Sequence, residues 1–250
     1  MEYYSPTDLN EAYELLKKFG DTAIPIAGST FFMGHREELF DEVEAVINIK
    51  KLGLGYIKTE DEILKIGATT TLNEIFDHEI TSSGVYKIFN ETVNELNINE
   101  VRNMATIGGE VCIAGEVDMP TTLLAYDANI VIGGSEGTRV VSMADFHIGY
   151  LNNALDVTEM VVEVQIPKPP ENTAGGFYKF ERTAADLPIV NVAVRVSLDD
   201  DGTCKDVRVV AGAATMSGVP QRSAAAEAVL LNNKIDEDLI MQAAEASSDI

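Results

Sequence analysis

The chain is short of cysteine, of basic residues and of long hydrophobic runs, and each shortage removes a class of protein. Its two cysteines, Cys112 and Cys204, stand too far apart for a zinc ribbon or a Cys-x-x-Cys redox pair. An iron–sulfur cluster needs about four ligands, so this chain does not hold one by itself. Lysine and arginine number 18 against 41 aspartates and glutamates, a formal charge of −23 and a pI near 4.3. Such a surface repels phosphate backbones and anionic membranes, and nucleic acid drops out of the expected partners. A high-salt cell interior, a basic partner or solubility alone each produces this balance. No apolar run reaches the roughly 18 residues of a membrane helix, and the opening MEYYSPTDLN lacks the basic and apolar regions of a signal peptide. A soluble, cytoplasmic protein without a membrane span is expected. His35, His78 and His147 include no pair at ligand spacing, so no metal site is expected. Neither GxGxxG nor GxxxxGK[ST] occurs, which withholds a Rossmann or P-loop assignment.

What is present is 250 residues, 46% hydrophobic and 24% charged, enough to bury the core of one large domain or two modest ones. Ser5-Pro6-Thr7 reads as a capping sequence before Leu9, Ala12, Leu15, Leu16 and Phe19 at helical spacing, closed by Gly20. Ala23 to Ala27 and Val43 to Ile49 read as strands with a helix between them. Tyr56 to Lys58 and Ile63 to Ile66 flank a polar turn, and Leu72 to Phe76, Val85 to Leu96 and Thr121 to Tyr126 read as helices. Strands are expected at Asn129 to Ile132, Arg139 to Val141 and Met160 to Ile166, before a breaker cluster at Lys168-Pro169-Pro170-Glu171-Asn172 that marks a domain boundary. Beyond it, Val190 to Leu198 and Val207 to Ala211 form a hairpin around Asp199 to Gly202, and two helices follow from Ser223 and Ile235.

Two glycine-bearing segments carry the functional signal. IPIAGST (Ile24 to Thr30) and ATIGGE (Ala105 to Glu110) each bring an apolar approach to glycines beside a small hydroxylated residue. Consecutive backbone N–H groups in such turns form an anion-binding nest, and glycine admits a diphosphate without an intervening side chain. Taken alone, each reads first as a tight turn at a strand end. Arg102 offers either a charge to a diphosphate or a brace for the turn, and Arg182 with Asp186 reads as an ordinary salt bridge. Cys112 reads as a small buried hydrophobe.

Taken in order, IPIAGST, INIKKL (Ile47 to Leu52), KIGATTTLNEI (Lys65 to Ile75), VRNMATIGGE, the Asp118 segment, ADFHIGY (Ala144 to Tyr150), FYKFERTAADLPIVNVA (Phe177 to Ala193) and VPQRSAAAEAVL (Val219 to Leu230) span nearly the whole chain. With them the chain resembles the FAD-binding subunit of molybdenum hydroxylases, the group of xanthine dehydrogenase and aerobic carbon monoxide dehydrogenase. The resemblance implies an α+β protein. A vanillyl-alcohol-oxidase or p-cresol-methylhydroxylase-type FAD-binding domain over residues 1–168, with two α/β subdomains that break near 52–55, precedes a smaller α+β domain of the carbon monoxide dehydrogenase flavoprotein C-terminal type over residues 174–250. It implies FAD held by Ile26, Ala27, Gly28, Ser29 and Thr30 on one side and by Thr106, Ile107, Gly108, Gly109 and Glu110 on the other. Asp118 matches an acid that contacts the cofactor's polar chain, and Leu96, Val161 and Lys179 match positions near the isoalloxazine. A cation at the position of Lys179 raises the flavin's potential.

The implied function is electron transfer. An iron–sulfur subunit delivers electrons, a molybdenum-cofactor subunit works on the substrate, and FAD in this chain passes electrons to NAD or another acceptor, with no Ser-His-Asp triad and no catalytic side chain of its own. The alternative is a non-flavin structural subunit of the same kind of complex. A stand-alone flavin oxidoreductase is disfavoured by the second domain's resemblance. Three departures stand out: Ser29 replaces a glycine, Phe31 stands where the family has an acid, and Glu110 stands where it has an asparagine. Serine at 29 is accommodated where φ is negative. A carboxylate at 110 repels a diphosphate unless it turns away. The end at Ser247 to Ile250, where the family continues into a basic segment and a last helix, implies a short form or a truncated one.

Overall fold

The protein is seen in a computed structural model that describes all residues except 97, 116 and 185. Residue 185 of the FERTAAD segment therefore lies outside the described residues.

A first unit is built from β1 (Glu2–Tyr4), α1 (Leu9–Phe19), β2 (Ala23–Ile26), α2 (Thr30–Gly34), α3 (Arg36–Leu39) and β3 (Ala45–Asn48), with a parallel sheet in the order β1-β3-β2. The α1 stripe buries Ala12, Tyr13 and Leu16 against Ile47 and Ile49, and also against Met160 and Val162 of the next unit. Its cap is Asp8, whose carboxylate accepts from the Glu11 N–H, and not the Ser5-Pro6-Thr7 run; Gly20 closes it at φ 56°. A short leading strand, β1, and two short helices between β2 and β3 replace the simple strand–helix–strand expected there.

The second unit opens with the hairpin β4 (Ile57–Glu60) and β5 (Ile63–Gly67), turned by Asp61 and Glu62 at φ 53° and 60°, the left-handed pair of a two-residue hairpin turn. Helices α4 (Leu72–Asp77), α5 (Lys87–Glu95), α6 (Asn99–Arg102), α7 (Ile107–Cys112) and α8 (Met119–Ala125) follow, then β6 (Asn129–Gly134), β7 (Gly137–Ser142), α9 (Met143–Phe146), β8 (His147–Gly149), β9 (Asn152–Asn153) and β10 (Glu159–Pro167). Every neighbour in the five-stranded sheet β4-β5-β10-β6-β7 is antiparallel. Leu64, Ile66, Ile130, Ile132, Val164 and Ile166, fully buried from alternate strand positions, meet Phe89, Leu123 and Tyr126 from the helices in the largest core.

The remaining elements are β11 (Thr173–Phe180), β12 (Val190–Leu198), β13 (Cys204–Gly212), β14 (Gln221–Arg222), α10 (Ala224–Leu230) and α11 (Glu237–Ala246). The four strands form an antiparallel sheet. One face carries α10 and α11 through Cys204, Val207, Val209, Ala226, Leu230 and Ala243. The other contributes Phe177, Ala193 and Val210 to the large core, so the two sheets share apolar packing across α5 and α8. Polar contacts reinforce that seam. Arg195 pairs with Asp127 at 3.0 Å and Asp206 at 2.6 Å, and Thr121 donates to the buried Asn191 at 2.8 Å.

Candidate functional site

A cleft of about 520 Å³ opens between the first unit and the five-stranded sheet. Residues 24–32 form one wall, and Ala105, Thr106, Gly108, Gly109 and Glu110 form the other, with Met160 and Val161 of β10 at the base. The two glycine segments, nearly eighty residues apart in sequence, therefore face one another. The volume and the largely apolar lining with few polar groups are those of a small-molecule site.

The glycines are there for different reasons. A Cβ on Gly28 would stand 2.0 Å from the Met104 carbonyl oxygen, and one on Gly108 would stand 2.8 Å from the Ala68 side chain and carbonyl. Both admit the protein's own backbone. At Gly109 the nearest atom to an added Cβ is Thr106 Oγ1 at 3.3 Å, and nothing else comes within 4 Å; this residue is solvent-exposed and turned to the cleft. Only Gly109 leaves open space that a side chain would fill.

The second segment is not the turn that its glycines suggested. It is the first turn of α7, capped by Thr106, whose hydroxyl accepts from the Gly109 N–H at 3.3 Å. Ile107 N–H donates to Thr70 O, Gly108 N–H to Ala68 O and Glu110 N–H to Thr106 O, each at 3.0 Å. All four N–H groups are thus committed within the protein, and the expected anion nest is absent from this wall. The first segment differs. No side chain caps α2, and the leading N–H groups of a helix have no partner within it. Ser29 adopts φ 61° and ψ 11°, so the serine that replaces a glycine sits in the left-handed region and not at the negative φ that would accommodate it.

Glu110 turns inward. Its side chain is buried beside the cleft, it accepts a hydrogen bond from the Met119 backbone N–H, and its Oε2 has no hydrogen-bond partner among the described residues. Burial, with the nearby Asp118 charge, pushes its carboxyl up to about 8. Asp118 is buried too, but its oxygens are occupied: Lys179 Nζ lies at 3.3 Å and Asn191 Nδ2 at 2.7 Å. Burial raises the Asp118 carboxyl above its usual range, against the opposing pull of Lys179 and Asn191. Lys179 is no surface lysine. It is buried on β11, donates to Glu95 O at 2.9 Å and to Asp186 O at 3.2 Å, and pairs with Glu181 at 3.0 Å. Burial alone would lower its ammonium; Asp118 and Glu181 outweigh that and raise it.

Of the residues expected from the sequence, Ile26, Ala27, Gly28, Ser29, Thr30, Thr106, Gly108, Gly109, Glu110 and Val161 line this cleft. Ile107 is wholly buried in the core behind it. Leu96 caps the C-terminus of α5 and packs on the same core, and Asp118 and Lys179 form their pair behind α7 without reaching the cleft wall. Arg102 braces its segment, its guanidinium 5.0 Å from the Phe76 ring centre. Arg182 and Asp186 make the exposed salt bridge at 3.4 Å. Burial pushes the Cys112 thiol up to about 12, which disfavours its thiolate where it meets the cleft. Sequence reasoning missed His35, Ala68, Ile113, Leu151, Leu155 and Met160 as lining residues. Ala68, in the KIGATTT segment, and Met160, beside Val161, lay next to quoted positions; Leu151 reaches the site through a left-handed turn at φ 52°, which had no signal. Among the described residues there is no cluster of three or more metal-ligating side chains, and no helix is long and apolar enough to cross a membrane.

Comparison with known proteins agrees along the whole chain. Residues 1–169 match the family described as the FAD binding domain in molybdopterin dehydrogenase, and residues 176–250 match the CO dehydrogenase flavoprotein C-terminal domain. The chain is 32% identical over 213 residues to the nicotinate dehydrogenase FAD-subunit of Eubacterium barkeri, covering 81% of this chain and 71% of that one. It is 27% identical to the glyceraldehyde dehydrogenase medium chain of Sulfolobus acidocaldarius, over 99% of this chain and 87% of that one. Among solved structures, carbon monoxide dehydrogenase from Hydrogenophaga pseudoflava superposes with a TM-score of 0.92 at 27% identity, covering 99% of this chain and 85% of its counterpart.

Proposed function

Because this chain belongs to the family of FAD-binding domains in molybdopterin dehydrogenases, a flavoprotein component of oxidoreductase complexes, we propose that it is the electron-transfer subunit of a molybdenum hydroxylase, taking electrons from an iron–sulfur subunit and passing them to NAD or another acceptor. A molybdenum-cofactor subunit then holds the substrate chemistry. The observation that carries this reading is the cleft itself, walled by the two glycine segments and open at Gly109.

The residues present fit an FAD. The cleft is mainly apolar, one wall offers the uncapped N-terminus of α2 to an anionic group, and Gly109 on the other leaves space that a Cβ would fill. Residues 26–30 and Gly109 would hold the cofactor's polar chain, and Val161 and Met160 would pack on its apolar parts. When bound, the flavin supplies redox chemistry by accepting and releasing electrons or hydride. This chain's own part is to hold the ring system out of bulk water and to fix its orientation. The Asp118–Lys179 pair works one step further back, tying the start of α8 to β11 and so fixing the backbone behind α7.

The test is the absorption spectrum of the purified chain with identification of any flavin released on denaturation. Near-stoichiometric FAD supports the reading, and reduction of that flavin by the assembled complex, followed by NAD or dye reduction, identifies the acceptor. A colourless chain that takes up no added FAD, alone or with its partner subunits, overturns it.

A further inference from the structure

Phe31 stands where the family has an acid, and nothing in the redox reading above uses it. Its ring is half-buried in the cleft wall and stacks on the exposed ring of His35, with centroids 4.1 Å apart and planes inclined by 26°. The backbone makes this pair. His35 closes α2 one turn after Phe31, and its Nδ1 donates to the Phe31 carbonyl at 3.0 Å. A carbonyl oxygen can only accept, so Nδ1 carries a proton, and the bond holds the imidazole against the phenyl ring.

The core of the first unit does without this ring. Phe32, its neighbour, is buried with Val43 and Val46 and stacks on Phe40 at 5.1 Å. Among the described residues Phe31 belongs to none of the buried apolar clusters. An aromatic ring left at a cleft wall and braced on one side by a second ring presents its other face to whatever the cleft holds.

We propose that Phe31, backed by His35, is the stacking platform for the adenine ring of FAD. The inference rests on the FAD reading above and deepens it, since it assigns the nucleotide end of the cofactor to the first unit. Covalent reach selects the base. Phe31 follows directly on Thr30, the last residue of the segment 26–30 that would hold the polar chain. Adenine is joined to the diphosphate through one ribose ring and the isoalloxazine through a longer, open ribityl chain, so the ring that falls beside this segment is adenine. Exposure selects it too. The isoalloxazine has to be kept from bulk water, whereas the exposed His35 leaves this part of the cleft open to solvent. A purine presents a flat π face that a bare aromatic side chain takes without any hydrogen-bonding group. Phenylalanine in place of an acid also removes a like charge from the neighbourhood of the diphosphate.

The experiment has two arms, both on the full-length apoprotein. In the first, FAD is titrated by fluorescence into wild type, Phe31→Leu and Phe31→Tyr. Leucine keeps the apolar bulk without the ring face, so its Kd is expected to rise roughly tenfold or more, while tyrosine keeps the face and stays within about twofold of wild type. In the second, Phe31→Trp places one tryptophan in a chain that has none, and its emission is followed during titration with ADP and with inorganic diphosphate. ADP is expected to quench it and diphosphate to leave it unchanged, because the base and not the anion lies on the ring. The platform is overturned, and the FAD site left standing, by Phe31→Leu binding FAD as tightly as wild type, by an equal loss in Phe31→Tyr, or by tryptophan emission that ADP does not alter. No FAD binding by any of these proteins, wild type included, overturns the proposed function and this inference together.

Discussion

Replacing Glu110 by glutamine tests the energetics of the apoprotein independently of any cofactor. In the folded chain the carboxyl holds its proton up to about pH 8, whereas in the unfolded chain it ionises from its ordinary 4.5. Between those values the native state binds more protons than the unfolded one, so stability falls as pH rises and levels off above the folded value. Relative to a side chain that cannot ionise, the wild type loses about 1 kcal/mol at pH 5.5, about 3 at pH 7 and about 5 at pH 9. Glutamine has nearly the same shape, but an amide donor without a partner costs about 1–2 kcal/mol, an offset that does not vary with pH. The diagnostic quantity is therefore the slope. Urea denaturation of both proteins from pH 5.5 to 9, kept above the pI near 4.3 where the acidic chain loses its charge, should show Glu110→Gln gaining on the wild type by roughly 1.4 kcal/mol per pH unit up to about pH 8. A stability difference that stays flat with pH would show that Glu110 is ionised in the folded protein, and the argument for its neutrality would fail.

Gly28→Ala should lose about 2–3 kcal/mol in the same denaturation assay, because its Cβ would lie 2.0 Å from the Met104 carbonyl and the 104–105 backbone must move; a loss under about 1 kcal/mol would mean that the two walls are not in contact. Gly109→Val should leave stability within about 1 kcal/mol and abolish FAD retention, read as flavin per chain after gel filtration, since its side chain has open cleft to fill; unchanged flavin content would dismiss this wall as a cofactor surface. Ser29→Gly should gain about 1 kcal/mol in thermal unfolding by relieving a left-handed serine, and a loss would show that the Ser29 side chain makes up for its backbone. Lys179→Met should cost about 3–5 kcal/mol, measured in urea at pH 7, because the buried Asp118 beside Glu110 then loses its ion-pair partner; an unchanged midpoint would show that the pair is not needed to fix α8 against β11.

The parts of the fold legible in the sequence were those where one local rule decides the backbone. The hairpin around Asp61 and Glu62, the stripe of α1 and the alternation in β12 and β13 each follow from a period or a turn that neighbouring residues complete. The short β1 was not legible, because its three residues gain their strand character only by pairing with Ala45 to Ile47, over forty positions away. The site was half legible for a related reason. Two glycine segments marked places where something approaches the backbone closely, but glycine does not say what approaches. At Gly28 and Gly108 it is the protein, at Met104 and Ala68; at Gly109 it is open cleft. Pairing of the N–H groups at 107–110 with Thr70, Ala68 and Thr106 could not be read locally either, since two of those partners come from the chain leaving β5. The same long-range contacts decide the chemistry of Glu110. Its repulsion of a diphosphate holds only for a carboxylate, and whether it is one depends on Asp118 and Lys179, which the resemblance associates with the cofactor and which the structure binds to each other behind α7. The glutamate that looked like a defect of the site is then consistent with it, provided that Lys179 stays engaged by Asp118.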